Sequence, residues 1–155
     1  MSKSDLTKLP SVLVGVAGVH LVAAELSRRG YVASITLRNT RGMDILVSNA
    51  DASRQVGIQV KTHQGNLREW ILNDKAEDYF ARNLYYVFVN LKEAPNRPEF
   101  HVVPSRVVAR YIKTSHRRWL RHRGRGGRKH RDNTMRIFKD REGKYLNHWT
   151  SLRLD

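Results

Sequence analysis

The sequence predicts an α/β fold with elements in the order αβββαβ, a mixed central sheet flanked by helices, and a basic C-terminal elaboration. Three observations predict it. Residues 11–29 are apolar almost all round and close on Ser27-Arg28-Arg29-Gly30, the basic last turn and trailing glycine that end helices. From Tyr31 the apolar period changes to two, through 31–37, 44–48 and 55–62. Residues 84–91 are then apolar without a break, as in a strand covered on both faces.

Each element has its own signal. Pro10-Ser11 marks a helix start with Ser11 as cap. Gly15 and Gly18 cost about 1 kcal/mol each in helix propensity, which moves the expected start of order toward Gly15. The turn Asn49-Ala50-Asp51-Ala52 joins the second and third strands, so the three strands read as an antiparallel meander. Residues 70–82 read as helical or irregular. After the turn Ala94-Pro95-Asn96-Arg97-Pro98, residues 99–103 form a short strand, and Pro104-Ser105 opens a helix to about Ile112. Residues 116–131, rich in arginine and glycine, read as a mobile loop. Tyr145, Trp149 and Leu152, spaced four and three apart, predict a short terminal helix in a tail, 135–155, that docks on the sheet.

The 155 residues suit a single domain with a core of its own. The absence of cysteine excludes disulfides and thiolate metal sites. No secretory leader is legible, and the apolar run from Val12 to Leu26 is too short and interrupted to predict a membrane span, so a cytoplasmic location is expected. A net charge of +15 repels itself unless a polyanion supplies countercharge, which points to nucleic acid.

Two short motifs carry polar groups where core strands carry apolar ones. In Arg41-Gly42-Met43-Asp44-Ile45-Leu46-Val47 an acid stands at a strand's mouth. In Gly57-Ile58-Gln59-Val60-Lys61-Thr62, alternation puts Gln59 and Lys61 on one face and Ile58 and Val60 on the other. An acid, an amide oxygen and an ammonium on adjacent strands suit a metal and a phosphate. Read singly, Asp44 is equally a turn cap beside Gly42, and Gln59 and Lys61 a solvated strand face.

The order of these motifs resembles the PD-(D/E)XK nuclease superfamily in its Mrr or Holliday-junction-resolvase-like form, where Gln-x-Lys replaces Glu-x-Lys. The resemblance covers about two-thirds of the chain, and a further likeness to small bacterial members extends over Tyr85-Tyr86-Val87-Phe88-Val89-Asn90, Phe100-His101-Val102-Val103-Pro104-Ser105 and Tyr145-Leu146-Asn147-His148-Trp149. It implies a restriction-endonuclease-like core and Mg²⁺- or Mn²⁺-dependent hydrolysis of DNA phosphodiester bonds in restriction, repair or junction processing. Asp44, Gln59 and Lys61 are the implied catalytic residues. Asp44, the Gln59 amide oxygen and the Val60 carbonyl would hold the metal, and Lys61 would hold the attacking water or neutralise charge on phosphorus.

The chain also departs from that pattern. Gln59 brings no charge, which weakens attraction for a divalent ion. Where relatives carry a glutamate on the first helix, this chain has Val19; Glu25, six residues on, is rotated by about 240° and reads as a solvent-facing or arginine-paired residue. His20 adjoins Val19. A catalytically inactive nucleic-acid-binding protein that retains the nuclease fold is therefore the alternative, and a basic RNA- or ribosome-associated protein a third.

Candidate nucleic-acid contacts are Arg38 and Arg41 beside the Asp44 hairpin, His63 beyond Lys61, and Arg117, Arg118, Arg121, Arg123, Arg125, Arg128, Lys129 and Arg131 for phosphates. Trp119 reads either as a base-stacking ring or as a core anchor. His116, His122 and His130 lack the cysteines or acids of a zinc site. The expected partner is duplex or branched DNA, with RNA as the other polyanion and no membrane. Double-strand cleavage needs two active sites or two binding events, hence an expected homodimer.

Overall fold

The computed structural model describes residues 8–37, 42–93 and 95–155. Helix α1, Ser11–Arg28, opens directly after Pro10, whose carbonyl accepts the Val14 N–H at 3.1 Å. Ser11 is thus the first helical residue and not the cap, and order does not wait for Gly15. Packing overrides propensity here, because Val14, Gly18, Val22 and Leu26 form a buried stripe at four-residue spacing. Gly18 is required by that packing: a Cβ there would lie 1.7 Å from Thr62 Oγ1. The helix ends as the glycine predicts. Gly30 sits at φ +86°, its N–H donates to the Ser27 carbonyl, and the Tyr31 N–H reaches back to Leu26. At 18 residues α1 has the length and composition of a membrane span, which the interrupted apolar run did not suggest, yet its buried stripe lies on the sheet.

Strands β1 (Val32–Ile35), β2 (Ile45–Ser48) and β3 (Gln55–His63) form the expected antiparallel meander. β4 is Glu69–Asn73, β5 Leu84–Asn90, β6 Glu99–Pro104 and β7 Met135–Lys139. The main sheet runs β1-β2-β3-β5-β6, with β3 and β5 parallel and the other pairs antiparallel, so the α/β class with a mixed sheet holds. All seven residues of β5 are buried, as its unbroken apolar run requires.

One face of this sheet, with Ile45, Val47, Ile58, Val60 and Val87, packs under α1 and the C-terminal tail. The other face carries Tyr86, Phe88 and Val103 under helix α2 (Ser105–Arg121) and a second, two-stranded sheet, β4-β7. Here the structure corrects the expected crossover. Residues 70–82 hold no α-helix: β4 is followed by a 3₁₀ turn, Asp74–Glu77, with Asn73 as its cap. Trp70 and Leu72 are buried while Ile71 is 67% exposed, the period-two signature of a half-covered strand.

Two further corrections concern the C-terminal half. α2 continues nine residues past Ile112, to Arg121, so the first third of the supposed loop is helical. The rest is a closed turn: the Gly124 N–H donates to Arg128 O at 2.8 Å, and Arg123 bridges Lys129. The tail docks as expected, with Trp149, Leu152 and Leu154 in the core beneath the sheet and Tyr85 Oη donating to Ser151 O at 2.8 Å. Its helix, however, is only a 3₁₀ turn, Trp149–Leu152, because Asn147 and Arg153 adopt left-handed conformations on either side.

Candidate functional site

Asp44 is fixed by both neighbouring strands. Its carbonyl accepts the Thr36 N–H from the β1 side at 2.9 Å, and the Thr36 hydroxyl donates to Met43 O at 2.7 Å. Toward β3, the Asp44 N–H donates to Ile58 O at 2.8 Å while its Oδ2 accepts the Val60 N–H at 2.7 Å. The residue therefore brackets Gln59. The β2–β3 register begins with Ile45 opposite Ile58, so Asp44 lies just before the paired residues of β2.

Gln59 and Lys61 open together into a cleft of about 590 Å³, with Gly42, Asn73, Lys75, Asp78, Tyr79 and Tyr86 around them. This is the face on which Gly57 also lies, where a Cβ would come 2.5 Å from Met43 Sδ, so the glycine lets the Asp44 loop close onto β3. Gly42 does the same under Tyr79: a Cβ would lie 2.2 Å from its ring. Burial, aided by Tyr79, pushes the Tyr86 phenol up to about 12, so at neutral pH it lines the cleft as a neutral hydroxyl and not as a base.

The donor set consists only of oxygens: one carboxylate, one amide and, because a strand residue's N–H and C=O project to the same edge, the Val60 carbonyl on Asp44's side. That set fits a hard divalent cation. One Asp44 oxygen, Oδ2, already accepts the Val60 N–H, so a metal would have to use Oδ1, and among the described residues no cluster of three or more histidines and acids adds to the charge. Val19 packs against the α1-side core, and His20 is exposed. Glu25 is arginine-paired, 2.9 Å from both Arg28 and Arg29, which hold its carboxyl below the ordinary range.

His63 ends β3 on the Lys61 side, but its Nε2 is buried with no hydrogen-bond partner among the described residues, and burial lowers its pKa against a smaller opposing pull from Glu69. Arg38 and Arg41 lie outside the described residues. Arg117, Arg118 and Arg121 project from the last turns of α2; Arg123, Arg125, Arg128, Lys129 and Arg131 ring the closing turn, all exposed. Among the described residues none of these eight forms an ion pair with a carboxylate, whereas Arg68, Arg136 and Arg141 elsewhere all do. Trp119 is not a core anchor: it is 38% exposed and stacks on His130 at 4.0 Å, with His116 at 5.4 Å.

Sequence reasoning missed the cleft's far wall, since Lys75, Asp78 and Tyr79 fell in the segment read as irregular. It also missed a buried polar pair. His101 is fully buried, its Nδ1 lies 2.6 Å from Asp140 Oδ2, and Asp140 also accepts the Lys144 and Tyr145 N–H groups, tying β6 to the turn after β7. Thirty-nine residues separate the two, so no local pattern announces them. Comparison with protein-family models, curated proteins and solved structures gives no match.

Proposed function

We propose that the chain is a metal-dependent endonuclease acting on DNA phosphodiester bonds, with a PD-(D/E)XK-like core. The observation that supports this reading is the bracketing of Gln59 by Asp44, which bonds the residues on either side of it, Ile58 and Val60, on the strand whose Gln59 and Lys61 line the cleft. Mg²⁺ or Mn²⁺ held there by Asp44, Gln59 and Val60 would polarise the scissile phosphate and lower the pKa of a bound water. Lys61, a strongly hydrated point charge, orients water or offsets charge on the phosphate oxygens. The first half of α2 flanks the 74–77 turn at the cleft wall, through the Ala76, Val108 and Ile112 contacts. Its basic end extends the positive surface along which a DNA backbone would run.

A second reading is favoured by Val19 and by the single negative charge of the donor set: a DNA-binding protein with this fold and no cleavage. Incubation of supercoiled plasmid with the protein in Mg²⁺, Mn²⁺ or EDTA separates the two. The nuclease reading expects nicking in either metal, none in EDTA, and loss on Lys61→Ala with binding retained. Binding without nicking in every metal leaves only the second reading.

A further inference from the structure

The outer side of α2 forms a second feature that the Gln59–Lys61 cleft does not use. Between its C-terminal half and β7 lies a groove of about 560 Å³. Its apolar surface comes from Tyr111 and Trp119 on the helix and from Met135 and Ile137 on the strand, and Arg118 and Lys139 stand among them. Among the described residues no aspartate or glutamate lines it. Lys139 is partnered by Glu69 at 3.2 Å, while Arg118 makes no carboxylate contact among the described residues.

The groove's aromatic wall is built rather than incidental. His130 backs Trp119 from the basic turn without lining the groove, and His116, which does line it beside Trp119, is held by Asp132 at 2.8 Å. Three rings from two segments are thus stacked, and Trp119 is the one that opens to the groove, the His116 side chain being only 10% exposed. Large apolar side chains on a charged protein's surface, Met135 at 47% exposure and Trp119 at 38%, mark a binding surface when cations rim them.

We infer that this groove binds the bases of an unpaired DNA strand, stacked on Trp119, with the strand's phosphates against Arg118 and the arginines of the adjoining turn. The chemistry selects that ligand. Flat rings beside cations, with the neighbouring acids Asp132 and Glu69 already held by His116 and Lys139, suit a π-faced base on an anionic backbone. A duplex presents its phosphates to such a surface but keeps its bases in the stack, so it gains the charge contacts alone. An acidic peptide would satisfy the cations but has no use for the ring stack. The inference stands on the groove and does not depend on hydrolysis at Asp44.

The test is a titration of the full chain, in EDTA so that no metal-dependent cleavage intervenes, with an oligothymidylate of about twelve nucleotides and with an abasic deoxyribose-phosphate strand of equal length. Trp70 and Trp149 are buried at 2% and 5% exposure, so quenching of tryptophan emission reports Trp119. The thymidylate is expected to quench that emission and to bind about tenfold or more tightly than the abasic strand. Trp119→Leu should abolish that ratio. Met135→Asp should reduce it without touching the ring stack, which keeps the test decisive if the tryptophan variant folds poorly. Equal affinity for the two strands, a ratio that survives Met135→Asp, or preference for oligouridylate or blunt duplex overturns the inference.

Discussion

The Val60 N–H donates to Asp44 Oδ2 at 2.7 Å, across 16 residues of chain and from the strand that also carries Gln59 and Lys61. Without that bond Val60 would present a backbone N–H past the start of β2 with no ladder partner. The carboxylate therefore has a structural task and a proposed chemical one, and substitution can separate them.

Asp44→Asn keeps an acceptor for Val60 and removes the charge. Its stability should fall by less than about 1 kcal/mol in urea unfolding, while Asp44→Ala, which strands a part-buried N–H, costs about 1–3 kcal/mol. Metal-dependent nicking should be lost in both. Equal stability of the two variants would show that water replaces the carboxylate at no cost.

The α1–β3 contact makes a second prediction. Gly18→Ala places a methyl 1.7 Å from Thr62 Oγ1 and should destabilise by about 1–3 kcal/mol. Thr62 Oγ1 is buried without a hydrogen-bond partner among the described residues, so Thr62→Ala alone should cost little and should rescue Gly18→Ala in the double variant. Additive losses in that cycle would place the strain elsewhere.

Stability should fall with acid in two windows. Glu99 is held below its ordinary value of 4.5 chiefly by its hydrogen bond from Arg68, so its contribution is complete above 4.5 and lost as pH falls through the lower folded value. His63 is also depressed, by burial, from 6.5; the unfolded chain then binds more protons, and stability declines as pH drops below 6.5. Glu99→Gln should flatten the lower window and His63→Leu the upper, read from unfolding midpoints across pH.

Duplex binding should weaken with salt at a log–log slope of about −0.9 per phosphate contacted. Replacing Arg117, Arg121, Arg125 and Arg128 by alanine should make the slope shallower by several units. An unchanged slope would move the DNA to another face.

Much of this arrangement is legible in sequence where the signal is local. Glycine after a basic turn ends α1, period two marks β2 and β3, and the unbroken run marks β5. The Asp44 loop and Gln-x-Lys strand are legible for the same reason. What is hidden depends on distant partners. β4 is five residues long and pairs with β7 more than sixty residues later, Glu69 against Lys139, so neither strand has a hairpin to announce it. The extension of α2 was masked by its arginines, which suggest repulsion, although Val108, Ile112, Ser115 and Trp119 recur at helical spacing. Arginines pointing to solvent do not oppose a helix whose other face is buried.

The central claim is that Asp44, Gln59 and Val60 hold a catalytic divalent ion beside Lys61. Crystals soaked in Mn²⁺ test it most directly, by anomalous difference density. The account predicts one peak within about 2.3 Å of Asp44 Oδ1 and the Val60 carbonyl oxygen, absent from Asp44→Asn crystals. A wild-type map with no peak at Asp44, at Mn²⁺ concentrations that occupy other acidic sites, would contradict it.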